Sequence, residues 1–210
     1  MGKKTNKTKM KYRGFYKRFV KRTLDLLICI LVFPFWLLLF IPIIIAIKID
    51  DGGPIFYISE RIGQNCKKIK MLKFRSMKVN AEHLLNEDGS TYNSKNDPRV
   101  TKVGRFLRKT SLDEIPQLIN VFVNDMSFIG PRASEWSALP TYKEDELDKM
   151  KVLPGITGYS QAYFRNSIGV REKRLLDASY ARHVSFILDV KILFKTIRTV
   201  FKRENIYTNK

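Results

Sequence analysis

A long apolar run near the N-terminus dominates the pattern of hydrophobic and polar positions. No charged residue occurs between Leu26 and Ile47, a length that matches the ~20 residues a helix needs to cross the hydrocarbon core of a bilayer. A cleavable signal peptide would have a shorter apolar region, of ~7–15 residues, followed by a small-x-small site. Because this run is longer and ends at Ile45-Ala46-Ile47-Lys48, we predict a membrane segment that is not cleaved.

Basic residues flank the apolar run on both sides. Such residues favour the cytoplasmic face of a membrane, so both ends of the segment are predicted to lie on that face. Pro34, in the middle of the run, removes a backbone donor and bends the helix, and Pro42 offers a second bend. The pattern favours a re-entrant helix over a single span, with Asp25 paired with Lys21 or Arg22 near the interface. The flanking cations are Lys7, Lys9, Lys11, Arg13, Lys17, Arg18, Lys21 and Arg22 before the run, and Lys48, Arg61, Lys67, Lys68 and Lys70 after it.

Short strands and helices are predicted after the turn residues Asp51-Gly52-Gly53-Pro54. Residues 55–58 and 69–74, with a loop at Gly63-Gln64-Asn65 between them, predict a β-hairpin. Residues 80–98 are polar and lack periodicity, which indicates an exposed loop. From Val103 the pattern is helical, and Ser111-Leu112-Asp113-Glu114 matches a capping box that would begin a new helix at Ser111.

The C-terminal segment places apolar residues at helical spacing beside a basic stripe. An interfacial helix, with its apolar face toward lipid and its cations toward phosphate headgroups, has this pattern. A helix packed on the protein's own core with a solvated basic face has it equally. The apolar positions are Ile187, Val190, Phe194, Ile197 and Phe201, and the basic ones are Lys191, Lys195, Arg198 and Lys202.

These elements predict an α+β fold that is mostly helical. We expect a basic N-terminal arm over residues 1–22, a re-entrant membrane helix over 23–48, and a compact domain over 49–210 on the cytoplasmic face, with amphipathic interfacial helices. A chain of 210 residues is long enough for one such domain with a sizeable core.

Charge and cysteine usage narrow the possible partners. A net charge of +19 implies an anionic partner, which is a nucleic acid, an anionic lipid or a phosphorylated substrate. Cys29 lies in the apolar run and Cys66 in a polar stretch, so a disulfide between them is not expected. Apart from these, only His83 and His183 are typical zinc ligands, and they form no close group.

An acidic pair at the predicted helix start is the candidate for chemistry. Free backbone N–H groups in a first helical turn would keep Asp113 ionised, and an ionised carboxylate can act as a nucleophile. The same helix end would attract a phosphate, whose charge the neighbouring cations or a divalent metal would neutralise. Those cations are Arg99, Arg105, Arg108, Lys109 and Arg132. On the tetrapeptide alone, a well-capped helix without a catalytic role remains the simpler interpretation.

A series of motifs around this pair resembles the bacterial sugar transferase family, specifically the small monotopic polyprenyl-phosphate phosphoglycosyl transferases. The similarity extends from about Lys21 to the C-terminus, and the motifs occur in the family's order and spacing. They are Lys73-Phe74-Arg75-Ser76-Met77, Asn96-Asp97-Pro98-Arg99, Gly104 to Leu118, Asp125-Met126-Ser127-Phe128-Ile129-Gly130-Pro131-Arg132 and Pro154-Gly155-Ile156-Thr157-Gly158.

The resemblance implies a ping-pong phosphoglycosyl transfer at a bacterial cytoplasmic membrane. Asp113 would attack the sugar-linked phosphorus of a UDP-sugar, release UMP and form an aspartyl phosphosugar, which a membrane polyprenyl (undecaprenyl) phosphate then takes up. Asp113 and Glu114 would hold Mg²⁺, an ion that prefers carboxylate and phosphate oxygens. The resemblance implies phosphate contacts from Lys73, Arg75, Arg99, Arg108 and Arg132. The product would begin a capsule, exopolysaccharide or glycoprotein glycan, and an N-acetylated or other UDP-hexose is the expected donor.

Three positions depart from the family pattern. Phe33 precedes Pro34 where the family has Ser, Cys66 stands at a hairpin position that often has Gly, and Ala133 replaces a Pro after Arg132. None of these residues is assigned to chemistry. The alternative function is a non-catalytic, basic membrane-surface scaffold that binds anionic lipid or protein partners. Nucleic-acid binding is not expected, because no stacking-aromatic motif or recognition helix accompanies the basic arm.

Overall fold

The computed structural model describes residues 14–202 apart from 83, 85, 87–91, 93 and 95. A π-helical turn (Tyr16–Val20) precedes the helices and strands, which we number in chain order. They are α1 (Lys21–Asp51), β1 (Phe56–Ile62), β2 (Lys68–Phe74), α2 (Lys102–Thr110), α3 (Gln117–Phe122), β3 (Ser127–Ile129), β4 (Gly155–Thr157), α4 (Tyr159–Tyr163), α5 (Val170–His183) and α6 (Phe186–Lys202). The predicted mostly helical architecture with a small sheet is confirmed. Most of the predicted basic arm, residues 1–13, lies outside the described range.

Helix α1 is the one described helix that is long and apolar enough to cross a membrane. Pro34 and Pro42 both lie inside it. Side chains in its middle are uncovered, as Leu31 (71% exposed) and Leu38 (72%) illustrate. Nearer its two ends α1 packs on the rest of the protein, through Cys29 on one side and Ile43 and Ile47 on the other. The uncovered apolar middle is therefore flanked by two attached ends.

Charged residues at the start of α1 bond to the domain rather than to one another. Lys21 Nζ donates to Asp189 of α6 at 2.5 Å, and the Arg22 guanidinium donates to the carbonyls of the last two residues of α3. Asp25 is buried and accepts the backbone N–H of Phe128 at 3.0 Å. The predicted pairing of Asp25 with Lys21 or Arg22 is therefore wrong, because partners on distant segments take up all three side chains.

Asp189 collects two further bonds besides that of Lys21. The hydroxyl of Tyr16, in the π-helical turn, donates to it at 2.7 Å, and the hydroxyl of Tyr180 on α5 donates at 2.6 Å. The carboxylate is 3% exposed. One buried acid on α6 thus holds together the entry to α1 and the two C-terminal helices.

The far end of α1 is fixed by two adjacent acids. Asp50 accepts the backbone N–H of Val103 at the start of α2, and Asp51 receives both terminal nitrogens of Arg75. Gly52 then ends the helix in the left-handed region, at φ 69°. Both ends of α1 are therefore bonded to the same folded domain.

Strands β1 and β2 form the predicted hairpin. They pair antiparallel, with Phe56 opposite Phe74 and Ile62 opposite Lys68. Asn65 and Cys66 in the connecting turn both have positive φ, 55° and 59°. Cys66 therefore carries a side chain in a backbone conformation that favours glycine.

A second, parallel pair of strands was not predicted. Strand β3 pairs with β4, with Ser127 opposite Gly155 and Ile129 opposite Thr157. The backbones approach so closely that a Cβ added to Gly155 would lie 2.1 Å from the nitrogen of Gly130. This ladder brings the Gly130-Pro131-Arg132 turn beside residues 153–155.

Ser111 ends a helix instead of starting one. It has a left-handed φ of 60° at the C-terminus of α2, and its side chain makes no capping bond to the turn that follows. A single 3₁₀ turn, Leu112–Glu114, comes next, and α3 begins only at Gln117, after Pro116. The predicted capping box is therefore wrong, and Asp113 lies in a corner between two helices.

Helix α6 leaves most of its predicted apolar stripe uncovered. Ile187, Phe194 and Ile197 are exposed at 67%, 68% and 45%, whereas Ile192 on another side of the helix is fully buried. The side chain of Phe201 lies outside the described set. Of the two alternatives for this helix, packing of the stripe on the protein's own core is contradicted at these three exposed positions.

Candidate active site

Glu114 is held between β2 and α3. Its Oε1 accepts a bond of 2.6 Å from Lys73 Nζ of β2, and Gln117, the first residue of α3, also hydrogen-bonds to it. Burial alone would raise the pKa of Glu114, but the charges of Lys73 and Arg132 outweigh it and hold the pKa below its usual range. Glu114 is therefore an ionised carboxylate fixed from two sides.

The pKa of Asp113 shifts in the opposite direction, upward. Burial raises its pKa to about 6, the Glu114 charge contributes to the rise, and Lys73 and Arg108 act against it. The prediction that a helix N-terminus keeps Asp113 fully ionised is corrected, since the residue lies in a 3₁₀ turn and is partly desolvated. The Asp113 carboxyl group is therefore protonated more readily than an exposed aspartate.

Two of the predicted phosphate-binding arginines approach this acidic pair. Arg108 of α2 donates through Nε to the Ser76 hydroxyl at 2.9 Å, and its charge acts on Asp113. An Arg132 terminal nitrogen lies 4.0 Å from Glu114 Oε1, and the Arg132 side chain is half exposed. With Lys73, the structure thus brings three cations around two carboxylates, an arrangement that suits a phosphate near a carboxylate nucleophile.

The other two predicted arginines are bonded elsewhere. Arg75 is buried, and it donates to Asp51 and to the carbonyls of Pro54 and Met77. Arg99 is held mainly by Asp97, through Nε at 2.9 Å and a terminal nitrogen at 2.7 Å. The structure does not bring these two guanidinium groups into the cluster around Glu114.

A small cleft that is partly open to solvent lies beside Glu114. Side chains from both sheets and from α3 line it, so the hairpin and the parallel ladder together form its walls. The lining residues are Met71, Lys73, Glu114, Gln117, Arg132, Ala133, Gly155 and Ile156.

Arg61 is a neighbour of the site that the sequence analysis did not single out. It lies on β1 with its guanidinium 3.7 Å from Glu135 and its Nε bonded to Ser59. Burial lowers its pKa, and the nearby Arg132 charge lowers it further. The sequence pattern gave no signal for this residue, because alternation along β1 places Arg61 on the face opposite Ile58 and Ile62.

The side chains available as ligands suit a magnesium ion better than a metal ion that is coordinated by protein side chains alone. No group of three or more His, Cys, Asp or Glu side chains that could hold a metal occurs among the described residues. Mg²⁺ usually keeps several waters and binds one or two carboxylates together with substrate phosphates. Asp113 and Glu114, adjacent to three phosphate-attracting cations, match that requirement.

Comparison with known proteins gives one family. The sequence model of a family described as "Bacterial sugar transferase" matches residues 16–203. The "UDP-galactose-lipid carrier transferase" of Erwinia amylovora is 39% identical over 201 residues, which cover 90% of this chain and 42% of that protein. The "UDP-glucose:undecaprenyl-phosphate glucose-1-phosphate transferase" of Escherichia coli K12 is 39% identical over 202 residues, with the same coverage.

A relative of similar length also matches. The "Exopolysaccharide production protein ExoY" of Sinorhizobium fredii is 38% identical over 191 residues, covering 86% of this chain and 84% of that protein. By contrast, the chain spans less than half the length of the Erwinia and Escherichia proteins.

Proposed function

Because this chain belongs to the bacterial sugar transferase family, we propose that it moves a sugar phosphate from a UDP-sugar to a membrane polyprenyl phosphate. The observation that carries the proposal is the Asp113–Glu114 pair surrounded by Lys73, Arg108 and Arg132. Relatives named for transfer to undecaprenyl phosphate or a lipid carrier support the choice of substrates. The product would begin a lipid-linked glycan.

Asp113 acts as the nucleophile in this proposal. One carboxylate oxygen forms a bond to the sugar-linked phosphorus, the bond from that phosphorus to the UMP oxygen breaks, and UMP leaves with that electron pair. A phosphate oxygen of the polyprenyl phosphate then attacks the same phosphorus and frees the carboxylate. The raised pKa of Asp113, which burial causes, favours this role, because water stabilises the charge of this carboxylate less than that of an exposed one.

The cations lower the repulsion between the carboxylate and its anionic target. Lys73 acts on both carboxylates, Arg132 acts on Glu114 and Arg108 acts on Asp113, so we assign phosphate contacts to these three. Arg75 and Arg99 instead hold backbone segments in place. Asp113 and Glu114 are the residues that would hold Mg²⁺, and the ion when bound supplies further neutralisation of phosphate charge.

We further infer that α1 is re-entrant and that the domain lies on the cytoplasmic face of the inner membrane. A straight helix of 31 residues would be about 46 Å long, enough to separate its ends by a whole bilayer. Bonds from Lys21 and Arg22 at one end and from Asp50 and Asp51 at the other reach the same domain. A bend at Pro34 reconciles those bonds with an apolar middle in lipid. The uncovered stripe of α6 would then contact the same membrane surface.

Cysteine labelling tests this topology. In a Cys66→Ser background, cysteines introduced near residues 5 and 205 should react with an impermeant reagent from the same side of the membrane. Labelling from opposite sides would show that α1 spans the bilayer.

The activity test follows UMP release by purified protein supplied with undecaprenyl phosphate. UDP-galactose, UDP-glucose and their N-acetylated counterparts form the donor panel, because relatives are named for galactose, glucose and N-acetylgalactosamine. Asp113→Asn should abolish UMP release. The phosphosugar adduct that we expect on Asp113 of the wild-type protein should be missing from the mass spectrum of this variant, and Asp125→Asn serves as the matched control. Unchanged UMP release in Asp113→Asn would refute the nucleophile assignment, and no release from any donor would favour the scaffold alternative.

A further inference from the structure

A buried ion pair, formed by Lys149 and Asp177, lies beside the main chain of Arg132. Lys149 belongs to a 3₁₀ segment, Glu144–Lys151, and Asp177 lies on α5. Their charged atoms are 3.4 Å apart, and the side chains are only 4% and 2% exposed. Burying two such charges costs free energy that their mutual attraction often does not recover. A specific use for the pair would explain its presence.

Both members of the pair bond to the main chain of Arg132. Asp177 Oδ2 accepts the Arg132 N–H at 3.1 Å, and Lys149 Nζ donates to the Arg132 carbonyl at 3.1 Å. Asp177 Oδ1 has no hydrogen-bond partner within the described part of the chain. The carboxylate's described polar contacts are therefore with Arg132 and Lys149.

The position of the Arg132 side chain depends on its backbone, because the described residues leave more than half of that side chain uncovered. It is 54% exposed, and its described ion-pair contact is the 4.0 Å approach to Glu114. A long, exposed side chain reaches a fixed target only if its backbone is held, and a displacement of about 1 Å at a reacting centre can cost a hundredfold in rate. The buried pair fixes both the N–H and the C=O of this residue.

We propose that Asp177 and Lys149 are positioning residues that fix the Arg132 main chain and so direct its guanidinium to the phosphate site beside Glu114. The inference rests on the proposed function insofar as that phosphate belongs to the UDP-sugar. The anion itself can be probed without turnover.

Paired substitutions separate positioning from stability. Lys149→Met leaves Asp177 as an unpaired buried charge, so thermal stability should fall. Lys149→Met combined with Asp177→Asn restores neutrality and keeps an oxygen that can accept the Arg132 N–H, so most of the stability should return. The Arg132 carbonyl still lacks its donor in this double variant. Asp148→Asn, which removes two more exposed ion pairs of the same 3₁₀ segment, those of Asp148 with Arg182 and with Lys151, is the matched control.

The decisive readout is the affinity for inorganic diphosphate, measured by titration calorimetry in nanodiscs. We expect both Arg132→Ala and the double variant to weaken binding about tenfold, the range for loss of a charged hydrogen bond. A triple variant that combines Arg132→Ala with Lys149→Met and Asp177→Asn should bind no more than about twofold worse than Arg132→Ala alone. The proposal would be overturned if the stability-restored double variant bound diphosphate with wild-type affinity. It would also be overturned if the triple variant bound diphosphate about tenfold worse than Arg132→Ala.

Activity measurements then connect the result to turnover. The double variant should raise the KM for the UDP-sugar more than it lowers kcat. If wild-type protein released no UMP from any donor, the proposed function would fail, while the diphosphate titrations would still decide whether the pair positions Arg132.

Discussion

Replacing Gly104 by Ala tests the packing that carries Arg108 to the site. Gly104 lies in α2, where Ala would normally stabilise a helix by ~1 kcal/mol. Here a Cβ would lie 2.0 Å from the carbonyl oxygen of Ser76, whereas ordinary van der Waals contact begins at 3.4 Å. That oxygen is itself held by the backbone N–H of Thr101 at 3.2 Å. Relief of the clash therefore requires α2 to move by about 1.4 Å.

The destabilisation caused by the clash of the added Cβ should exceed the stabilisation that Ala brings to a helix. Forcing atoms into a packed contact costs ~1–3 kcal/mol or more, and a clash with fixed backbone belongs at the top of that range. Subtracting the ~1 kcal/mol gained in helix propensity from the ~3 kcal/mol cost of the clash leaves a net loss of stability of about 2 kcal/mol. For a chain of this length, such a loss lowers the midpoint of thermal unfolding by ~4–8 °C.

Differential scanning fluorimetry of the detergent-solubilised protein measures this midpoint. Gly14→Ala is the matched control, because no atom lies within 4 Å of the added Cβ. UMP release should also fall in Gly104→Ala, since α2 carries Arg108 toward Asp113. A Gly104→Ala protein at least as stable as wild type would refute the close packing of α2 on residues 75–77.

Three further substitutions test the roles of Arg108 and Arg75 and the pH dependence of stability that Glu146 confers. Arg108→Met should lower kcat/KM for the UDP-sugar by ~100-fold, the effect of losing one charge-stabilising group, while Arg105→Met on the exposed side of α2 should leave it near wild type. Arg75→Lys should lower stability by ~1–3 kcal/mol by breaking the bidentate bond to Asp51, and a raised KM at unchanged stability would instead make Arg75 a phosphate contact. Burial alone would raise the pKa of Glu146, but the Lys143 backbone N–H and Arg171 hold it below its usual range. The stability that the ionised Glu146 carboxylate contributes is present above its unfolded-state pKa of ~4.3, and it is lost as the pH falls through the lower pKa of the folded state. Glu146→Gln should therefore lower the midpoint of thermal unfolding more at pH 7 than at pH 3.

Features encoded in short stretches of sequence were predicted well. The apolar run predicted α1, and two strand-like segments around Gly63 predicted the hairpin. The motif resemblance identified Lys73, Arg108, Arg132 and the acidic pair, which the fold brings together.

Features that depend on distant partners were not predictable in the same way. Strands β3 and β4 have three residues each, too few for an alternating pattern, and they pair across 25 intervening residues. Ser111-x-x-Glu114 matches a capping box locally, but the end of α2 and Pro116 impose another path. Arg75 was assigned a phosphate contact from its place in the Lys73–Met77 motif, and the pattern gave no sign of its actual partner, Asp51, 24 residues away in the chain.

The bonds to Asp189 have a consequence for how the protein is made. Tyr16 and Lys21 meet a partner that lies 173 and 168 residues later in the chain, so the ribosome must synthesise nearly the whole polypeptide before these bonds can form. Until then the first helix can be held only by its lipid contacts and by its bonds to residues 75–128. A truncation before α6 should therefore still fractionate with membranes while lacking the closed fold.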